Sequence, residues 1–195
     1  MANANVATGL TPVRYLSGAP YNGATNRYYM PSTDTNAAGY IGALVKPAGS
    51  ADANGVMTVT ANVSTGNPVV GVIVAVEPIT RDSTIYRENS TSRYVLVADD
   101  PNLVFEVQDN SASGALTATV VGNAADLTGV TSGSTTTGRS SIQISSTTVT
   151  SSGDGTEDVL IIGAANRPDN VVGDTYCKWN VRLNNHFYID GVAGA

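Results

Sequence analysis

The chain has 195 residues, of which 42% are apolar and only 13% charged, with sixteen acidic against ten basic side chains and a formal net charge of −6. That length suffices for one sizeable core, and an acidic balance without a Lys/Arg cluster argues against nucleic-acid or anionic-membrane binding driven by counterion release. A single cysteine, Cys177, allows no internal disulfide and no multi-thiolate zinc site, so covalent and zinc-thiolate staples are not expected, and with no phosphate-cradling glycine loop or dinucleotide fingerprint no cofactor is expected.

The missing charge is replaced by Thr, Ser, Asn, Gly, Ala and Val, a strand- and turn-forming composition. The N-terminal stretch MANANVATGL has neither a basic nor an apolar leader segment, and no run approaches the roughly 18 apolar residues a membrane helix needs. The expectation is a soluble protein made in the cytoplasm of its host.

Residues 1 to 50 are rich in Gly, Asn, Ala and Pro, with short β-like pieces at 13–16, 27–30 and 41–46. Tyr15, Tyr21, Tyr28, Tyr29 and Tyr40 are scattered through them. Tyrosine brings large contact area at low rotamer entropy, so a Tyr-studded irregular segment suits lying along another protein. This predicts an extended N-terminal arm over 1–50 and a β-body over 51–195; the other reading is that the segment wraps its own domain.

From Asn54-Gly55 onward strand patterns recur at short intervals, as in sandwiches and barrels. Residues 56–63 place Met57, Val59, Ala61 and Val63 on one face, and 69–76 (VVGVIVAV) is apolar on both, the pattern of a central strand. The stretch RYVLVADDPNLVFEVQ, 93–108, reads as a β-hairpin turning at Asp99-Asp100-Pro101-Asn102 and organising the rest. Further strands are expected at 115–121, 140–145, 159–162 and 177–183. The last has the cleanest alternation, with Cys177, Trp179, Val181 and Leu183 on the core side and Lys178, Asn180 and Arg182 opposite. No window shows helical periodicity, so at most one short helix is expected, near Asn123–Leu127. The fold class is all-β: a β-sandwich or jelly-roll-like barrel with an extended arm.

Candidate chemistry is sparse. His186 lies four residues before Asp190, but no serine occupies a Gly-x-Ser-x-Gly elbow and nothing orients the imidazole. Cys177 falls on an inward face, where small buried thiols are common and reactive ones rare. Asp154, Glu157 and Asp158 offer oxygen ligands of a kind calcium accepts, at a spacing that matches no EF-hand. An enzyme is not expected.

Three stretches, RYVLVADDPNLVFEVQ (93–108), GSTTTGRSSIQI (133–144) and IIGAANRPDNVVGDTYCKWNVRLNNHFY (161–188), resemble the small virion proteins that many tailed bacteriophages encode beside the major capsid protein. Those proteins look like capsid decoration, or cement, proteins. The resemblance implies a β-sandwich or jelly-roll body on the outer capsid surface, the major capsid protein as partner, and self-association as a trimer or dimer at a symmetry axis. It carries over no catalytic residue. Its interface candidates are the five tyrosines of the arm, since a cement protein needs extended segments to lie across neighbouring capsomers. A second class, a host-attachment or carbohydrate-binding module of a phage head or tail fibre, shares the β-rich, polar composition.

Overall fold

The computed structural model describes residues 3–153 and 155–189. Every regular element among them is a strand, apart from a single 3-10 turn at Ala118–Val120. The strands are β1 (Thr11–Tyr15), β2 (Asn26–Met30), β3 (Leu44–Ala51), β4 (Met57–Thr60), β5 (Gly71–Val76) and β6 (Arg93–Ala98), followed by β7 (Leu103–Gln108), β8 (Ala124–Ala125), β9 (Leu127–Thr128), β10 (Gln143–Ile144), β11 (Val159–Ala164) and β12 (Lys178–Leu183). No helix among the described residues is long and apolar enough to cross a membrane.

Five strands close a barrel in the order β2-β4-β3-β5-β6. Closure removes the open edges that a lone sheet would expose. It is completed by β2, which pairs antiparallel with β6 along its whole length and parallel with β4 through Tyr29 and Thr58. The apolar stretch around β5 does form a central strand, flanked by β3 and β6. Gly71 opens β5 because a Cβ there would lie 2.3 Å from the carbonyl oxygen of Ala98 on the neighbouring strand. A second sheet runs β1-β7-β12-β11-β8, and β9 pairs with β10 beside it. One continuous cluster of buried side chains runs through barrel and sheet alike.

The stretch 93–108 is not a hairpin. Its two arms keep their alternation but belong to different sheets: β6 pairs with β2 and β5, β7 with β1 and β12. The Asp99–Asn102 turn, closed by the Leu103 N–H on the Asp100 carbonyl at 3.1 Å, therefore hands the chain from barrel to sheet. A local turn signal reports the reversal and says nothing of which strand takes each free edge.

The strand expected at 115–121 is replaced by extended chain and the 3-10 turn, and the segment expected as a short helix near 123–127 supplies β8 and the start of β9. Both elements are fixed by partners far along the chain: β8 adds to β11, and β9 to β10.

The division at residue 50 does not follow the strand pairing. Residues 11–51 supply an edge strand of the sheet and two staves of the barrel, and Leu10, Tyr28, Met30, Leu44 and Val45 are core residues.

β12 matches its pattern: Cys177, Trp179, Val181 and Leu183 are buried while Lys178, Asn180 and Arg182 alternate as half-exposed positions. The largest of these, Trp179, lies flush between β11 and β7.

Candidate functional site

The five tyrosines separate into two groups. Tyr28 and Tyr40 are internal, 4% and 8% exposed. Tyr28 points inward because β2 is a barrel stave, and Tyr40 stacks on Tyr86 with ring centroids 5.0 Å apart beneath Gly133, where a Cβ would meet the ring at 2.4 Å. These two positions therefore offer no ready outer contact area. Tyr15, Tyr21 and Tyr29 are half-buried on the surface. Tyr29 packs against Tyr94 at 5.2 Å between centroids, and the Tyr21 hydroxyl donates to the Ala24 carbonyl at 3.1 Å.

At one end of the barrel, the start of β2, the tip of the β3–β4 connection and the β6–β7 turn enclose an open cleft of about 540 Å³, with Tyr188 on its rim. The alternation of β2 turns Tyr28 into the barrel and Arg27 out of it, and the register of β2 on β6 sets Asn26 beside the strand end that leads into Asp99. The Asn26 amide donates to both carboxylate oxygens of Asp99, at 3.1 and 2.9 Å. The Tyr28 hydroxyl donates to the same carboxylate at 2.6 Å and lies 2.7 Å from the Tyr188 hydroxyl. Since Tyr28 has given its one proton to Asp99, Tyr188 is the donor in the second bond. The result is a directed chain, Tyr188 to Tyr28 to Asp99, in which each bond polarises the next. Burial and the bond to Asp99 both push the Tyr28 hydroxyl far above the ordinary tyrosine range, so it stays protonated and remains a donor.

Arg27 is equally constrained. It grips Glu77 with two bonds, 2.8 and 2.7 Å, while its guanidinium lies 3.5 Å above the centre of the Tyr94 ring. The Tyr94 hydroxyl donates to Asp52, and this bond, with the backbone N–H of Val56, holds the Asp52 carboxyl down at about 2. The cleft is thus rigid, mixed in donors and acceptors, and walled on one side by Met57 and Pro101.

The remaining candidates are dispersed. His186 is 3% exposed, and its Nδ1 accepts the Tyr188 backbone N–H at 3.2 Å. Burial lowers its pKa, against the opposing pull of Asp99 and Asp100. Its sequence neighbour Asp190 lies outside the described residues. Cys177 is buried, and burial pushes its thiol up to about 11, where little thiolate exists at neutral pH.

The structure does not bring Glu157 and Asp158 together. Asp158 turns inward to accept the backbone N–H groups of Leu127 and Gly66, at 2.9 and 3.4 Å, and burial raises its pKa. Glu157 stays in its own loop and accepts from Gly155. Asp154 lies outside the described residues. Among the described residues no group of three or more His, Cys, Asp or Glu side chains converges.

Two features had no sequence signal: the cleft, whose residues come from four separate segments, and Arg87, a fully buried arginine in a polar loop. No family model, no curated protein and no solved structure matches this chain.

Proposed function

We propose that this chain is a structural virion protein that decorates the outer surface of a bacteriophage head and stabilises contacts between capsomers of the major capsid protein. The observation that carries this reading is where the stretches resembling decoration proteins fall. The segment 93–108 is the passage from barrel to sheet, and 161–188 holds most of β11 and all of β12. The third stretch, 133–144, is loop chain ending in β10, so the resemblance is shared between strands of the body and the loops that join them.

The surface suits the role. Val6, Leu16, Val171 and Val172 are exposed aliphatic side chains, and Asn3 holds the N-terminal segment to Val171 by reciprocal bonds of 3.0 and 2.8 Å. With Tyr15, Tyr21 and Tyr29 they offer apolar and amphipathic contact area on a chain carrying little charge, the composition that interface cores favour. A dimer or trimer of the chain would match a capsid symmetry axis.

The test is to add the purified chain to expanded heads that lack it. Occupancy across the lattice, together with a raised temperature of head disruption, is the expected result. Copies confined to a vertex or to the tail would favour the attachment reading, and absence of binding would overturn the proposal.

A further inference from the structure

We propose that the cleft at the end of the barrel is a saccharide-binding site. Four observations converge on that ligand class. The first is shape: about 540 Å³ lies within the range of small-ligand sites, and the cleft is open at its mouth, as suits one or two sugar rings on a longer glycan.

The second is the lining. A sugar hydroxyl both donates and accepts, so it is matched by a wall that does both. Asn26 and Arg27 carry N–H groups beside the carboxylates of Asp99 and Asp100, the Tyr188 hydroxyl, whose proton goes to Tyr28, offers an acceptor, and Met57 supplies an apolar patch for the C–H face of a pyranose. Tyr188 is 48% exposed. Its ring, fixed through its hydroxyl to Tyr28 and edge-on to Phe187 at 5.3 Å between centroids, presents a face on which a ring can stack.

The third is pre-organisation. Asp99 is clamped by Asn26 and Tyr28, and Arg27 by Glu77 and Tyr94. Ordering these side chains on binding therefore costs little, which is how a shallow polar site reaches useful affinity.

The fourth is charge. Arg27 already spends two donor positions on Glu77, and among the described residues Asp99 and Asp100 face the cleft without a matching free cation in its lining. This disfavours phosphate, sulfate and nucleic acid. A basic side chain is less well served than a neutral sugar, because three hydrogen bonds already draw on the Asp99 carboxylate. The site would give a head-bound protein a weak, multiply displayed contact with glycans, where repetition supplies the avidity. It does not depend on head binding, and the soluble chain alone tests it.

The experiment is saturation-transfer difference NMR on the full chain with four defined probes: N-acetylglucosamine, its β-1,4-linked disaccharide, maltose and lactose. Lysine ethyl ester serves as the cationic comparator. At least one saccharide is expected to bind with a Kd of about 1 mM or tighter, a strength typical of a small rigid contact. Tyr188→Ala should weaken it by about tenfold, and Tyr188→Phe, which keeps the ring, by less. Asn26→Ala should weaken it as well, while Arg14→Ala, outside the cleft, leaves it unchanged. Matching backbone amide spectra establish that each variant is folded. No transfer to any of the four saccharides, transfer unaffected by both Tyr188→Ala and Asn26→Ala, or binding of lysine ethyl ester alone would each overturn the proposal.

Discussion

The buried carboxylate of Asp109 accepts the indole N–H of Trp179 at 3.1 Å and, through its other oxygen, the backbone N–H and hydroxyl of Ser111 at 2.9 and 2.5 Å. The Ser111 hydroxyl in turn accepts the Tyr176 N–H at 2.7 Å. Ser111 and Tyr176 both have left-handed backbone, with φ of 48° and 60°, an arrangement a side chain tolerates only when its surroundings hold it. One buried charge thus satisfies the polar tip of the largest core side chain and ties down the two strained residues beside it.

Trp179→Ala should therefore cost about 3 to 5 kcal/mol, as large core truncations do. Asp109→Ala, which removes no apolar bulk, should still cost about 1 to 3 kcal/mol for each buried donor it leaves unpaired. Lys178→Ala, on the opposite face, should stay within about 0.5 kcal/mol of the parent. Urea melts of the three variants decide this. Coincident curves for Trp179→Ala and the parent would mean that the core does not lean on this residue.

Arg87 is a second buried charge with a structural duty. Its guanidinium donates to the carbonyls of Thr91, Ala37, Pro31 and Asp34 at 2.6 to 2.8 Å. The Asp34 carboxylate stands 3.8 Å away. Burial lowers the arginine pKa, and Asp34 offsets part of that. Arg87→Ala should cost about 3 to 5 kcal/mol, as breaking a buried ion pair does. Arg87→Lys should recover only part, since a point ammonium cannot fork to four carbonyls. A lysine variant as stable as the parent would show that charge alone, and not the planar fork, holds the two loops together.

His186 sets a pH dependence. The Tyr188 N–H occupies Nδ1, so the neutral ring carries its proton on Nε2, and protonating Nδ1 would set two N–H groups against each other. Asp99 and Asp100 favour the cation, Arg182 and burial oppose it, and burial dominates. A lowered pKa in the folded state means that the unfolded chain takes up the proton first. The stability this group contributes is complete above about 6.5 and is lost as the pH falls from there through the lower folded value. His186→Asn keeps an acceptor and does not titrate, so the slope of stability with pH just below about 6.5 should flatten. An unchanged slope would assign it to other groups.

How much of this was legible in the sequence depended on the range of the interaction. The face of β12 was readable because period-2 alternation is local, and Trp179 with its neighbours needed no knowledge of their partners. The membership of β6 and β7 in different sheets was not, because a turn between paired strands and a turn between two sheets use the same Asp-Asp-Pro-Asn chemistry. The short β-like pieces read at 13–16, 27–30 and 41–46 overlap β1, β2 and β3, but nothing local to residues 1–50 shows that their partners are distant strands of the barrel and sheet. The Arg27–Glu77 contact spans 50 positions, and the Tyr28–Tyr188 bond spans 160. The cleft lay beyond reach for the same reason. Arg87 looked like any charged residue in a polar loop, and only the carbonyls converging on it reveal its role.

The N-terminal segment gives the sharpest test of how the body is built. Deleting residues 1–50 removes β1, β2 and β3, which leaves β4 without either of its barrel neighbours and strips one partner from each of β5, β6 and β7. It also removes Leu10, Tyr28, Met30, Leu44 and Val45 from the core and three of the four carbonyls that Arg87 binds. An opened barrel with unpaired edges and orphaned donors should not fold cooperatively. The truncated chain is expected to lose its sigmoidal thermal transition by circular dichroism and to aggregate. A truncated chain that keeps a cooperative transition would show that these strands are dispensable, and would return residues 1–50 to the role of an arm for another surface. Attachment is separated from folding by replacing Tyr15, Tyr21 and Tyr29 with serine in the full-length chain. These half-buried side chains leave the barrel closed, so a folded triple variant that binds expanded heads as well as the parent would remove the tyrosines from the proposed interface. A folded variant with reduced occupancy is the expected outcome.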